Sequence, residues 1–258
     1  MINWLHTNLP DPIFLTIGPM QIHWYGLILV FGMILAIVTA IKLAKYYNID
    51  KDLVFDLSFW LIILGLIGAR LYDVCLEYEY YLGHPLDVFK IWQGGLAIHG
   101  AIIAGILVVW YFARKRKIDF WLLFSIIVPA MALALAIGRW GNYFNQELYG
   151  YATNLSWGIP ILGQQGFFHP TFIYQSIGNF LIFIILILEH KLFRKKNFSW
   201  IVISFLIMYS TMRFCMEFLR IDSTPLVMGL RWPQLVSWII IFVCLIYFIY
   251  QAIRKQKE

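Results

Sequence analysis

The chain is a succession of apolar runs, each about 17 to 21 residues long, the length that carries a helix across roughly 30 Å of hydrocarbon at 1.5 Å per residue. The pattern predicts seven membrane-spanning helices: Ile22 to Ile41, Leu53 to Leu71, one from near Ile91 to the block Arg114–Lys117, Phe120 to Ile137, Thr171 to Leu188, Phe198 to Phe218, and Gln234 to Tyr250. Ahead of them, Met1 to Gln21 holds Pro10, Pro12 and Pro19 and no lysine or arginine, and reads as an interfacial lead-in with Trp4 and Phe14 as interface candidates. An acidic interval after the second run carries Asp73, Glu77, Glu79 and Asp87. A longer polar segment, residues 142–169, is rich in Gly, Tyr, Asn and Gln and separates the fourth run from the fifth.

Composition agrees with this pattern. The 258 residues are 61% hydrophobic and only 13% charged, about half the charge of a soluble domain. The expected fold is an all-α integral membrane protein, one polytopic domain of about seven transmembrane helices. The net charge of +6 raises the question of nucleic acid. Fourteen of the twenty Lys and Arg residues, however, lie in the intervals after runs one, three, five and seven. That is topological anchoring and not a nucleic-acid footprint, and it predicts an N-terminus outside and a C-terminus in the cytoplasm. Cys75, Cys215 and Cys244 sit among apolar residues without metal-ligand spacing and read as small core hydrophobes. The first residues lack the basic start and the cleavage site of a signal peptide.

With that topology the unusual polar residues fall into one layer near the outer face. Tyr25 is near the outer end of run one, and Arg70 and Asp73 leave run two. His99 is expected about eight residues into run three, about 10 to 12 Å below its start. Arg139, Asn142 and Glu147 close run four, and His169-Pro170 opens run five. Tyr209, Arg213, Glu217 and Arg220 recur at helical spacing on run six. Each has a plain structural reading. A lone histidine in a helix often only packs, and Arg213–Glu217 or Arg70–Asp73 can be simple ion pairs. Arginine within a span nevertheless costs about 2.5 to 3.5 kcal/mol on insertion scales, so several at one depth call for a purpose. Guanidinium forks suit an anionic lipid head group. A histidine held neutral by apolar surroundings suits a proton acceptor. No serine-nucleophile or zinc-protease motif is present, and no metal or cofactor is expected. A membrane transporter of lipid or anionic solute remains the alternative. Against it stand an odd span count, no internal repeat and polar residues confined to one leaflet.

The stretch Gly138-Arg139-Trp140-Gly141-Asn142-Tyr143-Phe144-Asn145-Gln146-Glu147 resembles the signature of the bacterial prolipoprotein diacylglyceryl transferases. So do Ile22-His23-Trp24-Tyr25-Gly26, Gly94-Gly95-Leu96-Ala97-Ile98-His99-Gly100, His169-Pro170-Thr171, and Arg213 through Arg220. The likeness covers essentially the whole chain in order. It departs at Tyr143, where phenylalanine is usual, at Phe172 and Gln175, and over Met228 to Gln234. The resemblance implies transfer of the diacylglyceryl group of phosphatidylglycerol to the lipobox cysteine of preprolipoproteins, the first step of lipoprotein maturation, at the bacterial plasma (inner) membrane with the site toward the outer leaflet. It implies as partners phosphatidylglycerol, lipobox signal peptides and membrane lipids, and a small extracytoplasmic cap over 142–169. His99 would take the thiol proton, Arg139 and Arg213 would hold the phosphate, and Glu217 would orient Arg213. Tyr25, Asn142 and Glu147 would position the head group. Arg220, Asn145 and Gly150 would complete its binding site.

Overall fold

A computed structural model describes residues 2–192 and 198–257. Arg194, Lys195 and Lys196 of the positive-inside pattern fall outside the described residues. A short helix α1 (Ile2–Thr7) leads into a hairpin of β1 (Ile13–Ile17) and β2 (Met20–His23). It turns at Gly18, whose φ of 59° provides the left-handed position that a tight hairpin turn needs. This hairpin takes up the start of the first apolar run, so the helix begins at Trp24 and not at Ile22. The long helices follow: α2 (Trp24–Tyr46), α3 (Lys51–Leu76), α5 (Ile98–Arg116), α6 (Phe120–Phe144), α7 (Thr171–Leu192), α8 (Phe198–Met216) and α9 (Trp232–Lys257). A short α4 (Tyr78–Gly83) lies between α3 and α5. Small antiparallel pairs β3 (Ile159–Pro160) with β4 (Phe167–Phe168) and β5 (Leu226–Val227) with β6 (Leu230–Arg231) precede α7 and α9. Seven of these helices are long and apolar enough to span a bilayer, and the protein is an all-α integral membrane protein.

The third span differs from expectation. Residues Ile91–Gln93 form a single tight turn, and Gly94 (φ 95°) and Gly95 (φ 71°) break the chain before α5 begins at Ile98. His99 is therefore in the first turn of its helix, not eight residues deep, and it is exposed rather than enclosed by apolar side chains. The apolar residues on both sides of the glycine pair disguised this break as continuous helix. The cysteine reading is also corrected in part: Cys244 is buried, but Cys75 and Cys215 lie exposed on helix surfaces.

The chain forms two compact units, residues 40–127 and residues 1–39 with 128–258. In the first, α3 and α5 pack where Gly68 and Gly100 meet backbone to backbone; a Cβ on either would collide with the other's carbonyl. Leu53, Leu57, Val108, Val109, Phe112 and Leu123 form its core. At its other end Arg70 donates to the carbonyls of Val88 (2.9 Å), Gly94 (2.8 Å) and Gly95 (2.8 Å), and to that of Asp87. The ion pair with Asp73, at 3.8 Å, is secondary to these bonds.

In the second unit, α7 packs on α8 and α8 on α9. Leu5, Tyr143, Ile159, Ile161, Phe168 and Phe172 make a core that joins α1, the end of α6 and the 142–169 segment. Phe172 packs edge-on against Trp140 and tilted against Tyr143, so a large aromatic ring fills the position where the sequence departs from the resembled pattern.

Candidate active site

The polar residues of the second unit are delivered by the ends of three helices. Helix α6 runs on past Ile137 to Phe144, which keeps Arg139 and Asn142 three residues apart on one helical face. Arg139 Nη1 donates to Asn142 Oδ1 at 3.4 Å, and Asn142 Nδ2 donates to Glu147 Oε1 at 2.8 Å. Asn145 Nδ2 reaches the same oxygen at 3.4 Å. Glu147 comes back to Asn142 because the chain reverses at once after the helix. Gln146 (φ 53°) and Leu148 (φ 58°) adopt the left-handed conformation, and Glu147 N bonds to Asn142 O at 3.1 Å. The Gln146 side chain fixes this reversal by accepting from Leu162 N at 2.6 Å.

Tyr25, at the start of α2, lies against this segment. Its ring fills the space where a side chain at residue 141 would stand: a Cβ on Gly141 would come within 2.5 Å of the ring. Trp24 stacks on Phe144 at 4.9 Å beside it. The Tyr25 hydroxyl lies within electrostatic range of Glu147 and Arg139.

The end of α8 supplies the second half. Glu217 follows its last residue and has no solvent exposure. Its Oε2 is 3.0 Å from Arg213 Nη1, and its Oε1 is 3.1 Å from Arg231 Nε. Both contacts are close in distance but bent. Neither carboxylate oxygen nor Arg213 Nη1 gains an aligned hydrogen bond. Arg220, also buried, is held in a fork by Asp222 at 2.8 and 3.0 Å. Burial alone would push the Asp222 carboxyl up, but the Arg220 hydrogen bond and the charges of Arg220 and Arg231 hold it below its ordinary value.

These halves meet. Arg139, Arg213 and Arg220 lie within one another's electrostatic range, and Tyr209 interacts with both Arg139 and Arg213. Like charges so gathered repel, and Arg139 Nε and Arg213 Nη1 are buried without hydrogen-bond partners. Buried donors left so are uncommon, and a bound water or ion is one of the ways in which they are completed. Chemically, guanidiniums gathered in this way can take an anion.

Gly150 lies where chain segments approach closely. A Cβ there would meet Leu219 O at 2.6 Å, His169 Cβ at 2.8 Å and Thr171 Cγ2 at 3.0 Å, and its backbone pairs with Arg220. Close approach of these segments leaves no room for a side chain at this position. His169 accepts or donates at Nδ1 with the Tyr174 hydroxyl (3.2 Å), which itself accepts from Trp157 Nε1 at 2.9 Å. His99 belongs to the other unit, where its ring lies 5.7 Å from that of Tyr72.

Two participants escaped the sequence reading. Arg231 and Asp222 complete the ion network around Glu217 and Arg220, Asp222 from the short polar stretch Asp222-Ser223-Thr224 and Arg231 from beside an apolar run. The available signal was Arg231 itself, a cation standing alone immediately before an apolar run.

A family model described as prolipoprotein diacylglyceryl transferase matches residues 12–250. The phosphatidylglycerol–prolipoprotein diacylglyceryl transferase of Finegoldia magna is 42% identical over 90% of this chain and 92% of its own length. Those of Synechococcus elongatus and Oceanobacillus iheyensis are 41% and 40% identical, over 88% and 96% of this chain and 83% and 90% of theirs. With a match running through every helix that carries the arginine cluster, the chain belongs to the prolipoprotein diacylglyceryl transferase family.

Proposed function

We infer that the protein moves the diacylglyceryl group of phosphatidylglycerol onto the lipobox cysteine of preprolipoproteins. The sulfur forms a bond to the glyceryl carbon that carried the phosphate, the carbon–oxygen bond to that phosphate breaks, and glycerol phosphate leaves. The protein would sit in the bacterial inner membrane, N-terminus outside, with the site opening to the outer leaflet. That placement rests on the distribution of lysine and arginine along the sequence.

The observation that carries this reading is the gathering of Arg139, whose Nε is buried without a hydrogen-bond partner, and Arg213, whose Nη1 makes only a bent contact with Glu217, beside Tyr25 and Asn142. Guanidinium forks match a phosphodiester, and negative charge grows on the phosphate oxygens as the carbon–oxygen bond breaks. Glu217 orients Arg213; Asn142, held by Glu147 and Asn145, orients Arg139. A free thiol ionises near pH 8.5, so a base must take its proton as sulfur attacks. On the family resemblance alone, His99 would take that role.

The test is transfer to a lipobox peptide by the purified protein in phosphatidylglycerol-containing vesicles. Arg139→Ala and Arg213→Ala are each expected to lower the rate by at least about a hundredfold. Near wild-type transfer by either would end the phosphate assignment. Peptide-dependent release of glycerol phosphate marks the transferase; lipid movement without covalent change would mark a transporter instead.

A further inference from the structure

Glu217 is fully buried, so its charge has to be met inside the protein. Two guanidiniums meet it, one at each oxygen: Arg213 at Oε2 and Arg231 at Oε1. The two arginines are not equivalent. Arg231 is tied down by Thr224 Oγ1 (2.9 Å) and by the backbone carbonyls of Glu217, Arg220 and Asp222. Arg213 has no comparable set, and its Nη1 is buried without an aligned acceptor. Arg220 is occupied by Asp222 in a two-pronged fork. Arg213 and Arg231 thus share Glu217 while Arg220 holds Asp222, so with Arg139 four guanidiniums face these two carboxylates, an excess of two positive charges.

We propose that Arg231 is a positioning residue that keeps Arg213 available to the lipid phosphate by holding one oxygen of Glu217 away from it. Without Arg231, both oxygens of Glu217 turn to Arg213, the other guanidinium within 4 Å of it among the described residues. A bidentate carboxylate on Arg213 occupies the N–H pair a phosphate needs and cancels its charge at contact distance. The sign of a second substitution follows. Neutralising Glu217 in the background that lacks Arg231 frees Arg213 again, although Glu217 itself belongs to the site. A purely structural Arg231, anchoring the 217–224 loop, predicts no such recovery. The inference rests on the phosphate reading of Arg213 given above.

The experiment measures the inhibition constant of glycerol phosphate and the KM for phosphatidylglycerol in the reconstituted full-length protein. Both are insensitive to a fraction of misfolded enzyme, which lowers only the apparent kcat. Arg231→Gln is expected to raise both by about tenfold, and Arg231→Lys, which keeps the charge but not the fork, by less. Adding Glu217→Gln to Arg231→Gln is expected to bring both back down at least about threefold. Unchanged constants in Arg231→Gln overturn the proposal, as does a double variant no better than the single one. Arg213→Gln separates the two readings. If it leaves both constants unmoved, the phosphate assignment itself fails. If it raises them while the Arg231 pair shows no recovery, only the role of Arg231 fails.

Discussion

Asn142 stands between Arg139 and Glu147, accepting from the guanidinium at 3.4 Å and donating to the carboxylate at 2.8 Å. The amide thus links a cation to an anion through its two ends. Asn142→Asp removes the donor and sets a second carboxylate beside Glu147 and onto Arg139. Repulsion on one side and neutralisation of Arg139 on the other are expected to cut transfer by at least about a hundredfold. Glu147→Gln keeps a hydrogen-bonding group in place and is expected to cost less, about tenfold. Initial rates of peptide lipidation decide the order. Equal losses would mean that Asn142 does not depend on Glu147.

Gly141 makes room for the Tyr25 ring. Gly141→Ala puts a methyl 2.5 Å from that ring, an overpacking expected to cost about 1 to 3 kcal/mol. It should also lower transfer, because the hydroxyl, within electrostatic range of Glu147 and Arg139, moves with the ring. Shortening the neighbour relieves the clash: Gly141→Ala with Tyr25→Ala is expected to melt above Gly141→Ala alone while remaining inactive. Thermal midpoints in detergent check the first part and lipidation rates the second. A double variant less stable than Gly141→Ala would place the strain elsewhere.

Much of this was legible in the order of residues. The seven spans follow from apolar length, because every backbone group in a bilayer must be satisfied within its own helix. The cluster Arg139, Asn142, Arg213, Glu217 was legible because charge inside a span is costly enough to stand out. The start of α5 was not, since Ile91, Trp92, Leu96 and Ile98 are as apolar as a helix and only the φ values of Gly94 and Gly95 reveal the break. Arg231 was missed for another reason. Its partner Glu217 lies 14 residues away across a turn, and no periodicity links a helix end to the loop that folds back on it. Arg70 shows the same limit. Asp73 was its visible partner, whereas its main partners are backbone carbonyls, which a sequence cannot display.

The loop before α5 also carries a pH dependence. Asp87 is held below its ordinary value of 3.8 by hydrogen bonds from Lys90 and the Tyr80 hydroxyl, and Lys90 is raised in turn by Asp87. A depressed carboxylate contributes stability that is present above its unfolded value and is lost as pH falls through the folded one. A raised lysine contributes below its ordinary 10.5 and loses that as pH rises through the folded value. The segment 77–95 is therefore expected to be firmest between about pH 5 and pH 9 and to loosen at both extremes. Hydrogen exchange of its amides across pH, corrected for intrinsic rates, reads this out. Asp87→Asn should remove the acid-side loss; an unchanged profile in that variant would assign the loss to another group.

Arg70 spends its guanidinium on four backbone carbonyls, two of them at the Gly94-Gly95 break that leads into α5. A lysine at that place offers one point charge and cannot serve carbonyls lying in several directions. Arg70→Lys is expected to destabilise the unit by about 2 to 3 kcal/mol, the scale of charged hydrogen bonds left unmade. It should also open the 77–97 segment to protease while the rest of the chain stays protected. Gly95 closes the same junction from the other side: its φ is 71°, and a Cβ there would overlap Arg70 Nη1 and Asp73 Oδ2. Gly95→Ala should therefore resemble Arg70→Lys, and the two together should cost clearly less than their sum, because each breaks the same clamp. His99 begins the helix just beyond, so both variants are expected to lower transfer even where the helices remain folded. Strict additivity of the two stability losses would show that Arg70 and Gly95 act independently, and the clamp would then have to be abandoned.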